Sequence, residues 1–190
     1  KIGTTKQGNG QAYRDKYART GIRAESVGDL KPYLVDLYEA IYLKDPCKVI
    51  YEGGQGTFLD IDWAMNYPYC TSSHCTSAGA MLNGIPHQSI RTIYGVAKGY
   101  ETYVGNARFE GDDPIFAKMR EVGKEYGSTT GRARQCNFLD IDNLIKSIRL
   151  NGATHIIIKK MDVLEEIKCW KVRGQDGKIK DLQTKGDFIS

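Results

Sequence analysis

The segment DIDNLIKSIRLNGATHIIIKKMD, residues 140–162, restricts the fold more than any other stretch. Leu144, Ile145 and Ile148 recur at helical spacing, and Asn151-Gly152 is a helix stop. Three consecutive isoleucines follow, a short unbroken apolar run that predicts a buried strand. The same alternation runs along the chain. Residues 112–127 predict a helix with Asp113 as cap and Pro114 at its first position. Residues 29–42 place Leu30, Leu34, Leu37, Tyr38 and Ile41 on one helical face, and residues 77–84 suit a short helix closed by Asn83-Gly84. Strands are predicted at 48–56, 89–105 and 166–172, with a turn at 174–177 and a Gly-rich polar loop at 2–13. Helices alternating with short apolar strands predict an α/β fold: a largely parallel central sheet flanked by helices, in one domain over 1–190.

Composition narrows the partners. The chain is 41% hydrophobic, enough for a core, and its net charge is only +4. Lysines and arginines are scattered among acids rather than gathered into a stripe, which argues against a nucleic-acid partner. The five cysteines are odd in number and form no CxxC, which reads as free thiols in a reducing, cytoplasmic compartment. No run of 18 apolar residues is present, so no membrane span is expected.

In an α/β sheet, ligands gather at the carboxyl ends of the strands, and three stretches have that placement. The first is EGGQGTFLDIDWAMNYPYCTSSH, residues 52–74. Its glycines permit close approach of a ligand to the backbone. Gln55 offers a donor and an acceptor for an oxo group and its neighbouring ring nitrogen, and Thr71, Ser72 and Ser73 offer hydroxyls and amides for a phosphate. By itself the stretch reads equally well as a glycine turn and an ordinary Ser/Thr loop. The second is Lys160-x-Asp162 after the isoleucine strand. A carboxylate accepts two parallel hydrogen bonds from guanine, and a lysine stem lies flat on the base; a solvated charge pair has the same sequence. The third is GSTTGRAR, residues 127–134. Thr129, Thr130, Arg132 and Arg134 converge as donors on a bendable loop, a composition made for a carboxylate or phosphate.

Other chemistries find less support. Cys70, His74 and Cys75 lack a fourth zinc ligand at standard spacing, so no metal residue is assigned. No histidine is paired with a cysteine in a nucleophile motif. The phosphate-loop pattern GxxxxGK[ST] is absent, and GNGQAY does not complete a dinucleotide fingerprint.

Five ordered pieces resemble the adenylosuccinate synthetase family: IGTTKQGNGQAYRDKYARTGIR, EGGQGTFLDID with YPYCTSS, GVAKGYETYVG, YGSTTGRARQCNFLD and NGATHIIIKKMDVL. The resemblance covers most of residues 2–172. It implies a fold like that of the P-loop NTPases and a GTP-dependent ligase that joins L-aspartate to IMP. GTP phosphorylates the purine 6-oxygen with Mg²⁺ as cofactor, and the aspartate amine then displaces phosphate. The resemblance assigns Thr5 and Thr71 to the nucleotide phosphate and Gln55 to the purine near its reacting 6-position. Arg19 would reach the phosphate in a partner subunit, implying a homodimer. Thr129, Thr130 and Arg132 would take aspartate, and Arg134, Lys160 and Asp162 would take GTP.

The departures matter as well. The family's GDEGKG-like loop with its general base, its histidine acid, and the C-terminal end that completes the guanine pocket are not among these residues. The expectation is therefore an incomplete domain that carries recognition without proton transfer, and that does not turn over alone. The family's arginine in TRVG is Tyr103 here, its usual valine is Cys70, and the connection between GIR and YEGGQG is short. YPYCTS is similar to a phage branch that takes dGMP instead of IMP, which stands as the alternative acceptor.

Overall fold

The structure is a computed structural model that describes residues 6–43, 47–128 and 131–189. Thr5, Thr129 and Thr130 lie outside the described residues. The chain divides into two compact units, Lys6–Arg91 and Thr92–Ser190.

Within Lys6–Arg91 the first element is helix α1, Asn9–Ala18, where the sequence predicts a loop. Gly8 at φ 82° turns the chain into the helix, and Gln11 Nε2 donates to Asp15 Oδ1 at 3.0 Å one turn on. None of its residues is buried. The helix expected over 29–42 does not form as one element. A 3₁₀ turn spans Gly28–Tyr33 with Pro32 inside it, and a π turn spans Glu39–Leu43. Proline lacks the amide that an α-helix needs and pushes its neighbour out of the α region. The intended apolar face is accordingly exposed: 43% at Leu30, 44% at Leu34 and 57% at Leu37. The strand expected at 48–56 is also absent, and Ile50 is 93% exposed. A strand exists only by pairing, and the described residues of this unit contain no strand to pair with. Helix α2, Ala78–Leu82, forms as expected and ends at Asn83 and at Gly84, whose φ is 84°.

Thr92–Ser190 holds all the strands. They are β1 Tyr94–Lys98, β2 Tyr100–Tyr103, β3 Gln135–Asp140, β4 His155–Lys159, β5 Lys171–Arg173 and β6 Ile179–Asp181. Between them lie α3 Ile115–Val122, α4 Ile141–Asn151 and α5 Met161–Ile167, with α6 Lys185–Ile189 at the end. The α/β reading holds. Strands β1 and β4 pair in parallel, with Lys98 opposite Lys159. A second sheet has the order β2-β3-β5-β6, parallel between β3 and β5 and antiparallel at its two other joins. Gly99 separates the sheets. A Cβ there would come within 2.7 Å of the buried Leu164 Cδ1 and 3.1 Å of Met161 Sδ, so a larger residue would force those side chains to shift.

The caps follow the sequence closely. Asp113 Oδ1 accepts from the Ile115 amide at 3.0 Å, and Asp140 Oδ1 caps α4 through the Asn143 amide at 3.0 Å. Gly152 ends α4 in the left-handed region at φ 60°. Two predictions fail locally. The isoleucine strand β4 is present but not buried, with Ile156 37% and Ile157 46% exposed, because a two-stranded sheet leaves few neighbours to cover it. Residues 166–172 are not one strand: α5 runs to Ile167, Lys168 reverses the chain at φ 53°, and only Lys171–Arg173 are extended.

The core of this unit packs α3 and α5 against β2 and β3. Tyr100, Phe116, Met119, Phe138 and Leu164 are 0–5% exposed, and the rings of Phe116 and Phe138 lie 4.8 Å apart. Truncating Leu164 to Ala removes buried methyl groups and leaves a cavity, which costs about 2–5 kcal/mol. Truncating Ile50 removes only solvated surface. Urea unfolding of Leu164→Ala and Ile50→Ala should show a loss of that size for the first and less than about 0.5 kcal/mol for the second.

Candidate functional site

The GSTTGRAR loop rises from a short hairpin stem. The Gly127 amide donates to the Arg132 carbonyl at 2.9 Å, Tyr126 bridges Ala133, and the Arg134 amide donates to the Glu125 carbonyl at 2.9 Å. Gly131, at φ 63°, donates to the Gly127 carbonyl at 2.8 Å and turns the chain back. Arg132 and Arg134 therefore stand on the returning strand of the stem, one on each side of Ala133. Arg132 Nη2 donates to Asn106 Oδ1 at 3.2 Å, and Arg134 Nη1 donates to Glu125 Oε2 at 3.0 Å.

Glu125 is the residue that sequence reading misses. It is 2% exposed, and its other oxygen accepts from Lys98 Nζ at 2.7 Å and Tyr100 Oη at 2.8 Å. Burial pushes this carboxyl up, but the bonds from Lys98 and Tyr100 and the charge of Arg134 outweigh it and hold the group below its ordinary value. Glu125 is thus an ionised counter-charge, not a proton acceptor. Burial in turn lowers Lys98, with Glu125 partly offsetting it, and raises Tyr100. The one sequence signal was a carboxylate flanking a loop with two arginines, between Gly123 and Gly127.

Lys160 follows directly on β4 and precedes α5, at the carboxyl side of the parallel pair whose last residues are Lys98 and Lys159. Its backbone is left-handed at φ 63°, and Nζ donates to the Gly123 carbonyl at 2.9 Å. Asp162 opens the first turn of α5 and is exposed. The turn after α3 thereby gathers Lys160 through Gly123, and Lys98 and Arg134 through Glu125.

In Lys6–Arg91 a second cluster forms around Asp60. This carboxylate is 0% exposed and takes the amides of Asp62 at 2.9 Å, Cys75 at 2.5 Å and Thr76 at 3.2 Å. It folds the loop of residues 71–76 back onto that of residues 54–62. Thr71 Oγ1 lies 2.9 Å from both the Leu59 and Ser73 carbonyls and 3.3 Å from Cys75 Sγ. Cys75 Sγ reaches Gln55 Oε1 at 3.8 Å. Gln55 and Thr71 are thus joined through one thiol, while Arg19 stands exposed at the end of α1. Arg19, Gln55 and Lys160 are non-glycine residues at positive φ, at 61°, 69° and 63°, as are Lys6, Lys124 and Lys168. At Arg19 and Lys168 this backbone ends a helix.

Asp60, Asp62 and His74 place ligand atoms within 4.8 Å of one another. The group does not suit Mg²⁺, which prefers six oxygens in an octahedron. One ligand here is an imidazole, and both Asp60 oxygens are already occupied by backbone amides. All five cysteines are free thiols, and no helix among the described residues is long and apolar enough to cross a membrane.

Comparison with known proteins shows similarity in sequence and in fold. The family model described as adenylosuccinate synthetase matches residues 25–181. The chain is 37% identical over 221 positions to an adenylosuccinate synthetase of Syntrophomonas wolfei, covering 90% of this chain and 52% of that protein. It superimposes with a TM-score of 0.73 on the fully ligated adenylosuccinate synthetase of Plasmodium falciparum, at 29% identity, covering 97% of this chain and 55% of the other. A cyanophage S-2L succinoaminodeoxyadenylate synthetase bound to dGMP and dATP shares the fold, with a TM-score of 0.66 at 24% identity over 87% of this chain and 55% of its own. The chain spans about half the length of the curated relatives it matches.

Two outcomes test the geometry. Burial, and then the charge of Asp140, raise Glu101 in β2 from 4.5 to about 7. The folded state then holds a proton that the unfolded state releases, so stability falls as pH rises from about 4.5 to 7 and is flat above. Glu101→Gln should match the wild type at pH 4 and exceed it at pH 8 by up to about 3 kcal/mol in urea unfolding. Asp60→Ala should speed amide exchange at Cys75 and Thr76 and cost about 1–3 kcal/mol, from the amides left unpaired.

Proposed function

The chain belongs to the adenylosuccinate synthetase family, and on that premise we propose that it serves a GTP-dependent ligation of L-aspartate to IMP. The observation that carries this reading is the single turn at residues 123–125, to which both the two-arginine loop stem and the strand-end Lys160 are tied. One reader of anions and one candidate reader of a base are held by the same few residues, as a reaction between a nucleotide and a dicarboxylate requires.

In this proposal GTP transfers its γ-phosphoryl group to the purine 6-oxygen, leaving GDP, as the ring N1–H proton is released to solvent. The aspartate amine then forms the new C–N bond as that C–O bond breaks and phosphate leaves, with the proton lost from nitrogen. Arg132, with Thr129 and Thr130, binds the aspartate carboxylates; Arg134 faces GTP; Lys160 and Asp162 read guanine. Gln55 meets the purine near its 6-position, and Thr71 and Thr5 hold the nucleotide phosphate. Arg19 serves the site of a second copy in a homodimer. Divalent-cation chemistry of the Mg²⁺ type finds no suitable ligand set among the described residues, and no step is assigned to it. Likewise no general acid or base is assigned: Glu125 is committed to its cations, and Asp60 to three amides.

Calorimetric titration with GTP, ATP, IMP and dGMP, followed by a phosphate-release assay with aspartate, tests this. GTP should bind in preference to ATP, and IMP in preference to dGMP; the reverse acceptor order would favour the dGMP alternative. Asp162→Asn should lower the GTP-over-ATP ratio about tenfold, the worth of one charge-assisted pair. Arg132→Lys should weaken aspartate more than either nucleotide, because an ammonium cannot reproduce a two-point clamp. Failure to bind any purine nucleotide removes the proposal.

A further inference from the structure

Glu125 and Arg134 are joined twice. The Arg134 amide donates to the Glu125 carbonyl at 2.9 Å, and Arg134 Nη1 donates to the Glu125 carboxylate at 3.0 Å. These two residues close the stem, outside the Tyr126–Ala133 bridge and the Gly127–Arg132 bond. The same carboxylate holds Lys98 and Tyr100, from the end of β1 and the start of β2. The loop stem is therefore tied to the core through this side chain, and also through Arg120 of α3, whose Nε donates to the Arg134 carbonyl at 2.6 Å.

The charges around it do not balance. Lys98 and Arg134 both contact the single carboxylate. Two cations thus share one anion. Lys98 and Arg134 keep side-chain exposures of 25% and 32%, so each can lean on Glu125 and still face solvent. A surplus of partly buried positive charge attracts an anion, but cations left to repel one another would not hold the geometry that a two-point clamp requires.

We infer that Glu125 is a positioning residue of the ligand site: its buried carboxylate holds Arg134 and Lys98 in place, so that the base of the 127–134 loop presents a fixed pair of cations to a nucleotide phosphate. This rests on the proposed GTP-binding role of the loop. It also separates two ideas that usually travel together. If Glu125 acted only through its charge, removing that charge would raise the affinity for an anion. If it acts by position, removing the charge lowers the affinity, although the site becomes more positive.

Glu125→Gln in the full chain decides between them. GTP titration should show affinity falling about tenfold to a hundredfold, the range for a lost charged hydrogen bond. Combining it with Arg134→Lys should add little to either single change, since both act on one contact. Amide exchange should quicken at Gly127, Gly131 and Arg134 while Leu139 and Leu164 stay protected. Equal or tighter GTP binding by Glu125→Gln overturns the inference. If the wild type does not bind GTP, the proposed function fails instead, and exchange at the stem amides then decides: faster exchange confined to them supports a positioning role, and unchanged exchange removes it. If Glu125→Gln does not fold, Tyr100→Phe removes one bond to the same carboxylate without stranding a charge. It should produce the same stem-confined exchange to a smaller degree, and no change in exchange would count against the inference.

Discussion

A carboxylate withdrawn from water is costly unless its lone pairs are met and its charge is matched. Glu125 meets both conditions with partners from three different stretches: the last residue of β1, the first of β2 and the far side of the loop stem. Lys98 and Tyr100 flank Gly99 in the chain, whereas Glu125 and Arg134 lie well beyond them. Tyr100 and Met119 belong to the core in which β2 pairs with β3 and α3 packs, and Glu125 is enclosed by that same packing. Once enclosed, it fixes the loop. Core packing and loop geometry are therefore one constraint: a fault in either leaves a buried charge without its partners.

Asp60 plays a parallel part in Lys6–Arg91 by different means. That unit has few buried residues and no strand among those described, so it cannot rely on a sheet to hold its loops. A fully buried carboxylate that gathers three backbone amides replaces the missing ladder locally. Burial raises this carboxyl, yet the three amides bring it below its ordinary value, so the clamp stays ionised at neutral pH and relaxes only in acid. Both units thus use a buried acid to organise polar loops, one against cations and the other against backbone.

What was legible in the sequence was mostly local. The cap at Asp113, the stops at Gly84 and Gly152, and the α/β alternation of residues 89–159 all follow from chemistry within a few residues, and the structure bears them out. Burial was not legible. The isoleucines of β4 announced a strand, but how many neighbours cover it is a property of the sheet. The apolar face of residues 29–42 looked like one helix because periodicity counts side chains, whereas Pro32 acts through a missing amide. The site divides in the same way. Arg132, Arg134, Lys160 and Asp162 were named from their types and spacing. Glu125, which holds Arg134 in place, and its partners Lys98 and Tyr100 carry no motif of their own.

The left-handed residues mark where local rules yield to the site. Lys160 could have been a glycine without strain, and Gln55 sits directly beside one, Gly56. In each case the chain keeps a long polar side chain at a backbone angle that disfavours it by about 1–2 kcal/mol. At Lys160 the compensation is visible: the same twist that ends β4 and starts α5 delivers Nζ to the Gly123 carbonyl, beside Glu125. A glycine would relieve the backbone and sever the tie between the strand end and the turn that bears the loop. The strain at this position is the cost of joining a candidate base reader to a candidate anion clamp through one residue.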